Sequence, residues 1–130
     1  MMKIDYIALF VTDVNRSVGF YRDVLGFDFP KPQKHNGCEG RSGQLKIGLY
    51  HRSWLPQLLG KGALDQPEGG QAYPFLLSMT VPDLDAAYAK LLQFHVEIVQ
   101  PPQVMPWGQR LFFFKDPDGN LLELVECSPR

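Results

Sequence analysis

Glu123 is the residue in this chain best placed to do chemistry. It lies within Leu121-Leu122-Glu123-Leu124, so its flanking leucines turn one way and its carboxylate the other. A carboxylate set among apolar neighbours can act as a general base, a ligand for a hard metal or an anchor for a cation; facing water, it is only a solvated charge. Tyr6 is the second candidate. Its phenol sits in an apolar run and suits a hydrogen bond to a developing oxyanion. Trp107 and Arg110 precede Phe112-Phe113-Phe114, and such aromatic faces suit a flat or cationic small molecule. Each has a plainer reading: Trp107 as a loop anchor, Arg110 as the ion-pair partner of Glu123 across the turn. His35 lies in a polar segment, His51 ends a strand and His95 ends a helix, and all three read as surface or structural residues.

Charge and composition narrow the classes of function. The net charge is −1 with no run of one sign, so neither nucleic acid nor an anionic membrane is the expected partner. No apolar run approaches ~18 residues, the length a spanning helix needs. Met1-Met2-Lys3 leads straight into a strand pattern with no signal-peptide architecture. Cys38 and Cys127 form no CxxC motif and fit the reduced thiols of a cytoplasmic protein.

Periodicity supplies the elements that position these residues. Residues 4–11 are apolar on both faces, with Ile7, Leu9 and Val11 on one and Tyr6, Ala8 and Phe10 on the other, which predicts a strand covered on both sides. Asp13 offers a helix cap, Val14, Val18, Tyr21, Val24 and Leu25 recur at helical spacing, and Gly26 ends the helix. A short strand is expected over 27–30, limited by Pro30 and Pro32. A weak strand and turn follow over 34–43, then a strand over 44–50 with Leu45, Ile47 and Leu49 on one face. Residues 51–74 read as a long connector with one helical turn near 53–59. The second half predicts a strand over 75–81, an Asp83-capped helix with the stripe Leu84, Ala87, Tyr88, Leu91 and Leu92, and a short strand over 96–99. A proline-rich loop over 100–108 and strands over 109–115 and 120–126 complete it.

The halves repeat. Aligning Asp13 with Asp83 puts Val11 on Val81, Leu9 on Met79 and Tyr6 on Leu76, and Gly43 takes the part of Gly119. The physical inference is a duplicated β-α-β-β-β unit. Each unit alone leaves a curved sheet with an exposed concave face, and pairing the two encloses a cavity. The expected organisation is α+β: one domain over 1–130, with module one about 1–52, a connector about 53–73 and module two about 74–130.

Ile7-Ala8-Leu9-Phe10-Val11-Thr12-Asp13, with Phe20-Tyr21-Arg22-Asp23-Val24-Leu25-Gly26-Phe27, resembles the opening of the vicinal oxygen chelate superfamily of glyoxalases, bleomycin-resistance proteins and extradiol dioxygenases. Trp107-Gly108-Gln109-Arg110, Asp116-Pro117-Asp118-Gly119-Asn120 and Glu123-Leu124 resemble its closing half. The resemblance spans the chain and implies the tandem βαβββ fold, and it suggests a homodimer. It also implies four metal-ligand positions, on the first and last strand of each module. These fall on Tyr6, on Leu76 or its neighbour Ser78, on Gly48 or Ile47, and on Glu123, so only Glu123 keeps a ligand-type side chain.

The expectation is a protein that binds a small aromatic or cationic organic molecule, with no cofactor and no complete metal site. The expected ligand contacts are Tyr6, Phe10, Gly48, Ser78, Thr80, Trp107, Arg110, Phe112, Phe114 and Glu123. If it is an enzyme, Glu123 is the base and Tyr6 the hydrogen-bond donor. Two alternatives stand beside this: a metal-dependent lyase, isomerase or dioxygenase-like enzyme, and a non-catalytic assembly or regulatory module.

Overall fold

Asp13 starts the first helix by accepting a hydrogen bond from the Arg16 amide at 3.0 Å, as its place before an apolar helical run requires. The computed structural model describes residues 1–30, 37–62 and 74–127. Two units divide the chain, Met1–Gly69 and Gly70–Arg130.

The first unit has strands β1 (Tyr6–Val11), β2 (Gly37–Ser42) and β3 (Leu45–His51) in the order β1-β3-β2. β1 runs parallel to β3 and β2 antiparallel to it. A two-residue turn joins β2 to β3, and Gly43 takes the positive φ of +60° there. Helix α1 (Val14–Gly19) continues through a wider π-type turn over Phe20–Val24, closed by the Leu25 amide on the Phe20 carbonyl at 3.1 Å. Gly26, at φ +80°, reverses the chain. Val14, Val18, Tyr21 and Val24 are buried with Leu9, Val11, Ile47 and Leu49, as the two periodicities predict; Leu25 is only half-buried. A 3₁₀ turn (Arg52–Trp54) and helix α2 (Leu55–Leu59) take the place of the expected single helical turn.

The strand expected over 27–30 is a single bridge. Asp28 exchanges both backbone hydrogen bonds with Arg41, at 3.0 and 2.9 Å. Pro30 cannot continue the ladder, having no N–H. Phe29 is buried and packs over Gly40, where a Cβ would meet its ring at 2.5 Å.

The second unit has β4 (Leu77–Val81), helix α3 (Leu84–Gln93), β5 (Ile98–Val104), β6 (Arg110–Lys115) and β7 (Leu121–Glu126), with sheet order β4-β7-β6-β5. Again the first and last strands are parallel neighbours. Asp83 caps α3 through the Ala86 amide at 3.0 Å. β5 runs straight through Pro101 and Pro102, where the sequence suggested a loop. It is the sheet's edge strand and its pairing with β6 shifts register twice, which is where prolines fit a sheet. Leu84 and Leu91 of the predicted stripe are buried, but Leu92 is exposed, because it lies past the edge of the apolar arc. The β6–β7 turn is held by the buried Asp116. Its Oδ1 accepts from the amides of Asp118 and Asn120, both at 2.9 Å, and its Oδ2 from the Asn120 side chain at 2.8 Å. Cys38 and Cys127 are free thiols, the first buried and the second exposed.

Candidate functional site

In the first unit the ladder register decides which side chains meet. Ile7, Leu9, Val11, Ile47 and Leu49 share the face packed by α1. Tyr6, Ala8 and Phe10 fall on the other, with Gly48 and Tyr50 of β3 and Glu39 of β2. Tyr6 and Tyr50 reach over Gly48 until their hydroxyls are 2.6 Å apart, one donating to the other. Gly48 is what allows this. A Cβ there would collide with the Tyr6 hydroxyl and meet the Tyr50 ring at 2.5 Å. Glu39 stands directly across from Gly48, and its charge acts on the same Tyr6 hydroxyl. Burial, the bond to Tyr50 and the charge of Glu39 together hold the Tyr6 phenol protonated, well above the usual tyrosine range. Phe10 and Trp54 flank Tyr50, with ring centroids 6.5 and 6.3 Å away.

Of the residues expected here, Tyr6, Phe10 and Gly48 are brought together. Tyr50, Glu39 and Trp54 are the partners that sequence reasoning missed. Tyr50 was within reach, since strand alternation carries the face of Gly48 two residues on. Glu39 was not, because its segment shows little periodicity.

In the second unit Ser78 and Glu123 are paired across β4 and β7, and the Ser78 hydroxyl donates to Glu123 Oε1 at 2.7 Å. Thr80 lies on the same face, two residues along β4. The phenylalanines are where expectation and structure part. Phe113 is opposite Glu123 and shares its face; Phe112 and Phe114 are opposite Leu124 and Leu122. Both expected ligand contacts, Phe112 and Phe114, are therefore core residues with no exposed surface, and Phe112 packs edge-on against Tyr88 of α3 at 5.1 Å. Arg110 belongs to the same helix-side set. It does not pair with Glu123, three residues out of phase. It bridges Asp85 at 2.8 Å and Glu126 at 3.2 Å. Glu126 also caps the start of α3 through the Leu84 amide at 3.0 Å, so Arg110 fixes helix to strand, and the hydrogen bond it donates to Asp85 holds its guanidinium further in the charged form. Trp107 stands on the β5–β6 turn at 70% exposure and hydrogen-bonds Gln109, so it fills no hydrophobic gap there.

The histidines have structural settings. His51 Nδ1 accepts the Ser53 amide at 3.1 Å and starts the 3₁₀ turn, while His95 takes a positive φ of +57° at the exit of α3. His35 lies outside the described residues. Among the described residues no three of His, Cys, Asp and Glu gather as a metal-holding group. Of the positions expected for a metal, Ser78 and Glu123 carry oxygen atoms and are bonded to each other. Gly48 and Leu76 have no donor atom, and the Tyr6 phenol, kept protonated by Tyr50 and Glu39, is a poor ligand.

These observations can be set beside known proteins. Residues 3–124 match the family model described as the Glyoxalase/Bleomycin resistance protein/Dioxygenase superfamily. The chain is 34% identical to the uncharacterized protein YraH of Bacillus subtilis, over 96% of this chain and 98% of that one. It resembles a crystal structure of a protein of unknown function from Agrobacterium tumefaciens, at 29% identity and TM-score 0.76, covering 98% of this chain and 96% of the other. A glyoxalase/bleomycin resistance protein/dioxygenase family enzyme from Burkholderia phytofirmans has the same fold at 17% identity and TM-score 0.81, over 96% and 98% of the two chains. Among the described residues no helix is long and apolar enough to cross a membrane.

Proposed function

We infer function from the premise that this chain belongs to the Glyoxalase/Bleomycin resistance protein/Dioxygenase superfamily. We propose that it binds a small aromatic or cationic organic molecule without a metal ion, on the face of the first unit's sheet that carries Tyr6, Phe10, Glu39 and Tyr50. One observation carries this reading: the tyrosine pair closes over Gly48. That position corresponds to Glu123 in the second unit, because Ala8 pairs Gly48 as Ser78 pairs Glu123. A ligating side chain is sterically excluded where the repeat would place one, and half-buried aromatic surface with a carboxylate beside it stands in its place.

Two measurements test the proposal. Metal analysis of the purified protein is expected to find no stoichiometric Ni, Zn, Mn or Fe; tightly bound metal lost on Glu123→Ala would overturn it. A thermal-shift panel of aromatic antibiotics, thiol conjugates and small oxo acids is expected to give its largest shifts with aromatic cations, since a ligand that prefers the folded state raises stability. The proposal also takes the protein to be a cytoplasmic homodimer, which sedimentation of the purified chain checks for assembly.

A catalytic reading is favoured by Ser78 and Glu123. A half-buried carboxylate oriented by a hydroxyl at 2.7 Å is a suitable general base. Glu123→Gln would then abolish turnover of any substrate found while leaving its binding intact.

A further inference from the structure

We propose that His51 is a positioning residue for the small-molecule face: through an unprotonated Nδ1 it holds the turn that lays Trp54 against Tyr50. This rests on the small-molecule reading above and adds to it a residue that touches no ligand itself.

The segment after β3 has little else to hold it. Neither the 3₁₀ turn (Arg52–Trp54) nor α2 contains a fully buried residue, so burial alone does not lock either in place. The Leu55 amide closes the turn on the Arg52 carbonyl, and a helix so short is marginal by itself. The side-chain contacts that anchor it lie at its two ends. His51 caps the start, and Trp54 rests on Tyr50 with ring centroids 6.3 Å apart and planes inclined by 53°.

The cap also fixes where the imidazole carries its proton. An amide N–H can only donate. The Ser53 amide meets Nδ1 at 3.1 Å, so Nδ1 keeps its lone pair and the proton of the neutral ring is on Nε2. The Ser53 hydroxyl, 2.8 Å from the same nitrogen, then donates as well. Nδ1 receives both donors of Ser53 and so ties down the residue directly before Trp54.

Chain geometry links the cap to the face. His51 is still extended, at φ −64° and ψ 140°, and the turn behind it folds back until residue 54 meets residue 50. Strand alternation places Tyr50 with Tyr6 and Phe10, so Trp54 continues their aromatic surface from beyond the end of the strand. At 37% exposure the indole keeps part of its surface open to a ligand, and of the aromatic side chains it attracts cations most strongly. Without the cap the indole leaves Tyr50, and the face loses one wall.

The test compares His51→Ala, His51→Asn and Trp54→Ala in the full chain, with phenyltrimethylammonium as the aromatic cation. Asparagine at a cap position accepts the same amide proton through its side-chain oxygen. Nuclear Overhauser contacts between the Trp54 and Tyr50 rings are expected in the natural chain and in His51→Asn, and are expected to be lost in His51→Ala. His51→Ala should weaken the probe about fivefold, as Trp54→Ala does, and add nothing in a Trp54→Ala background, while His51→Asn stays within about twofold of the natural chain. Ring contacts that persist in His51→Ala, or that vanish equally in His51→Asn, would overturn the positioning role. So would a weakening by His51→Ala that remains once Trp54 is already removed. If the ring contacts follow the expected pattern but the probe binds His51→Ala as tightly as the natural chain, or if another compound of the thermal-shift panel binds the natural chain and the probe does not, the inference about His51 fails alone and the small-molecule reading stands. If no compound binds the natural chain, both fail.

Discussion

One position in the repeat, occupied twice, separates the two units. On the last strand of each sheet, opposite the same point of the first strand, the first unit has Gly48 beside Ala8 and the second has Glu123 beside Ser78. The backbone ladders are the same there, parallel and in equivalent register. The chemistry is not. Without a side chain at Gly48, two tyrosines lean in from either side and hydrogen-bond each other. With a side chain at Glu123, a carboxylate takes a hydroxyl from the strand beside it. Duplication thus preserves the frame, and one Cβ decides whether the site above it is aromatic or acidic.

The largest expected effect concerns which side of the second sheet is core. Phe112→Ala should cost about 3–5 kcal/mol, as truncation of a fully buried aromatic does, and Phe113→Ala less than about half of that. Urea denaturation measures both. Equal losses would mean that Phe113, not Phe112 alone, belongs to the core, and the contrast between the sheet's faces would fail.

Adding a Cβ to the first unit should bring it towards the second and strain it. Gly48→Ala should destabilise by about 1–3 kcal/mol through overpacking. The loss should shrink in a Tyr6→Phe background, because the Tyr6 hydroxyl is the nearest obstruction. A loss that is the same in both backgrounds would break the link between the bare glycine and the tyrosine pair.

The phenol pair also predicts a pH dependence of stability. Tyr6 has a folded pKa above its unfolded value, through burial first and then Tyr50 and Glu39. The folded state therefore holds its proton longer than the unfolded state. The stabilisation is fully present below about pH 10, the unfolded value, and is lost as pH rises above it. Stability measured between neutral and strongly alkaline pH should fall more steeply in the natural chain than in Tyr6→Phe. Parallel curves would show that the phenol is not held in this way.

The smallest effect lies at the helix exits, where the units use different residues for one conformation. Gly26 and His95 both take positive φ, +80° and +57°. Only glycine does so without a steric penalty. His95→Gly should stabilise by about 1 kcal/mol and Gly26→Ala destabilise by a similar amount, read from thermal unfolding.

Much of the fold was legible before any coordinates. Asp13 and Asp83 as caps, Gly26, Gly43 and Gly119 as reversals, and the two apolar helix stripes are local signals, each contained within a few residues. The repeat was legible because those signals recur in one order. Less of the site could be read. Phe112, Phe113 and Phe114 are identical in type, so only their pairing with Leu122, Glu123 and Leu124 could say which faces α3. Arg110 seemed a partner for Glu123 because the two are close in sequence, yet it sits on the opposite face, bonded to Asp85 and Glu126. Pro101 and Pro102 suggested a loop because they cannot donate to a ladder, and an edge strand does not require them to.

By itself the sequence determined most element types, the duplicated order and the family, because period, caps and turns are written in short windows. The tertiary structure alone decided that Tyr6 meets Tyr50 over Gly48, with Glu39 across the ladder, and that Ser78 meets Glu123. Those contacts join strands far apart in the chain, and their partners are set by ladder register, in which a slip of one residue turns every side chain to the other face.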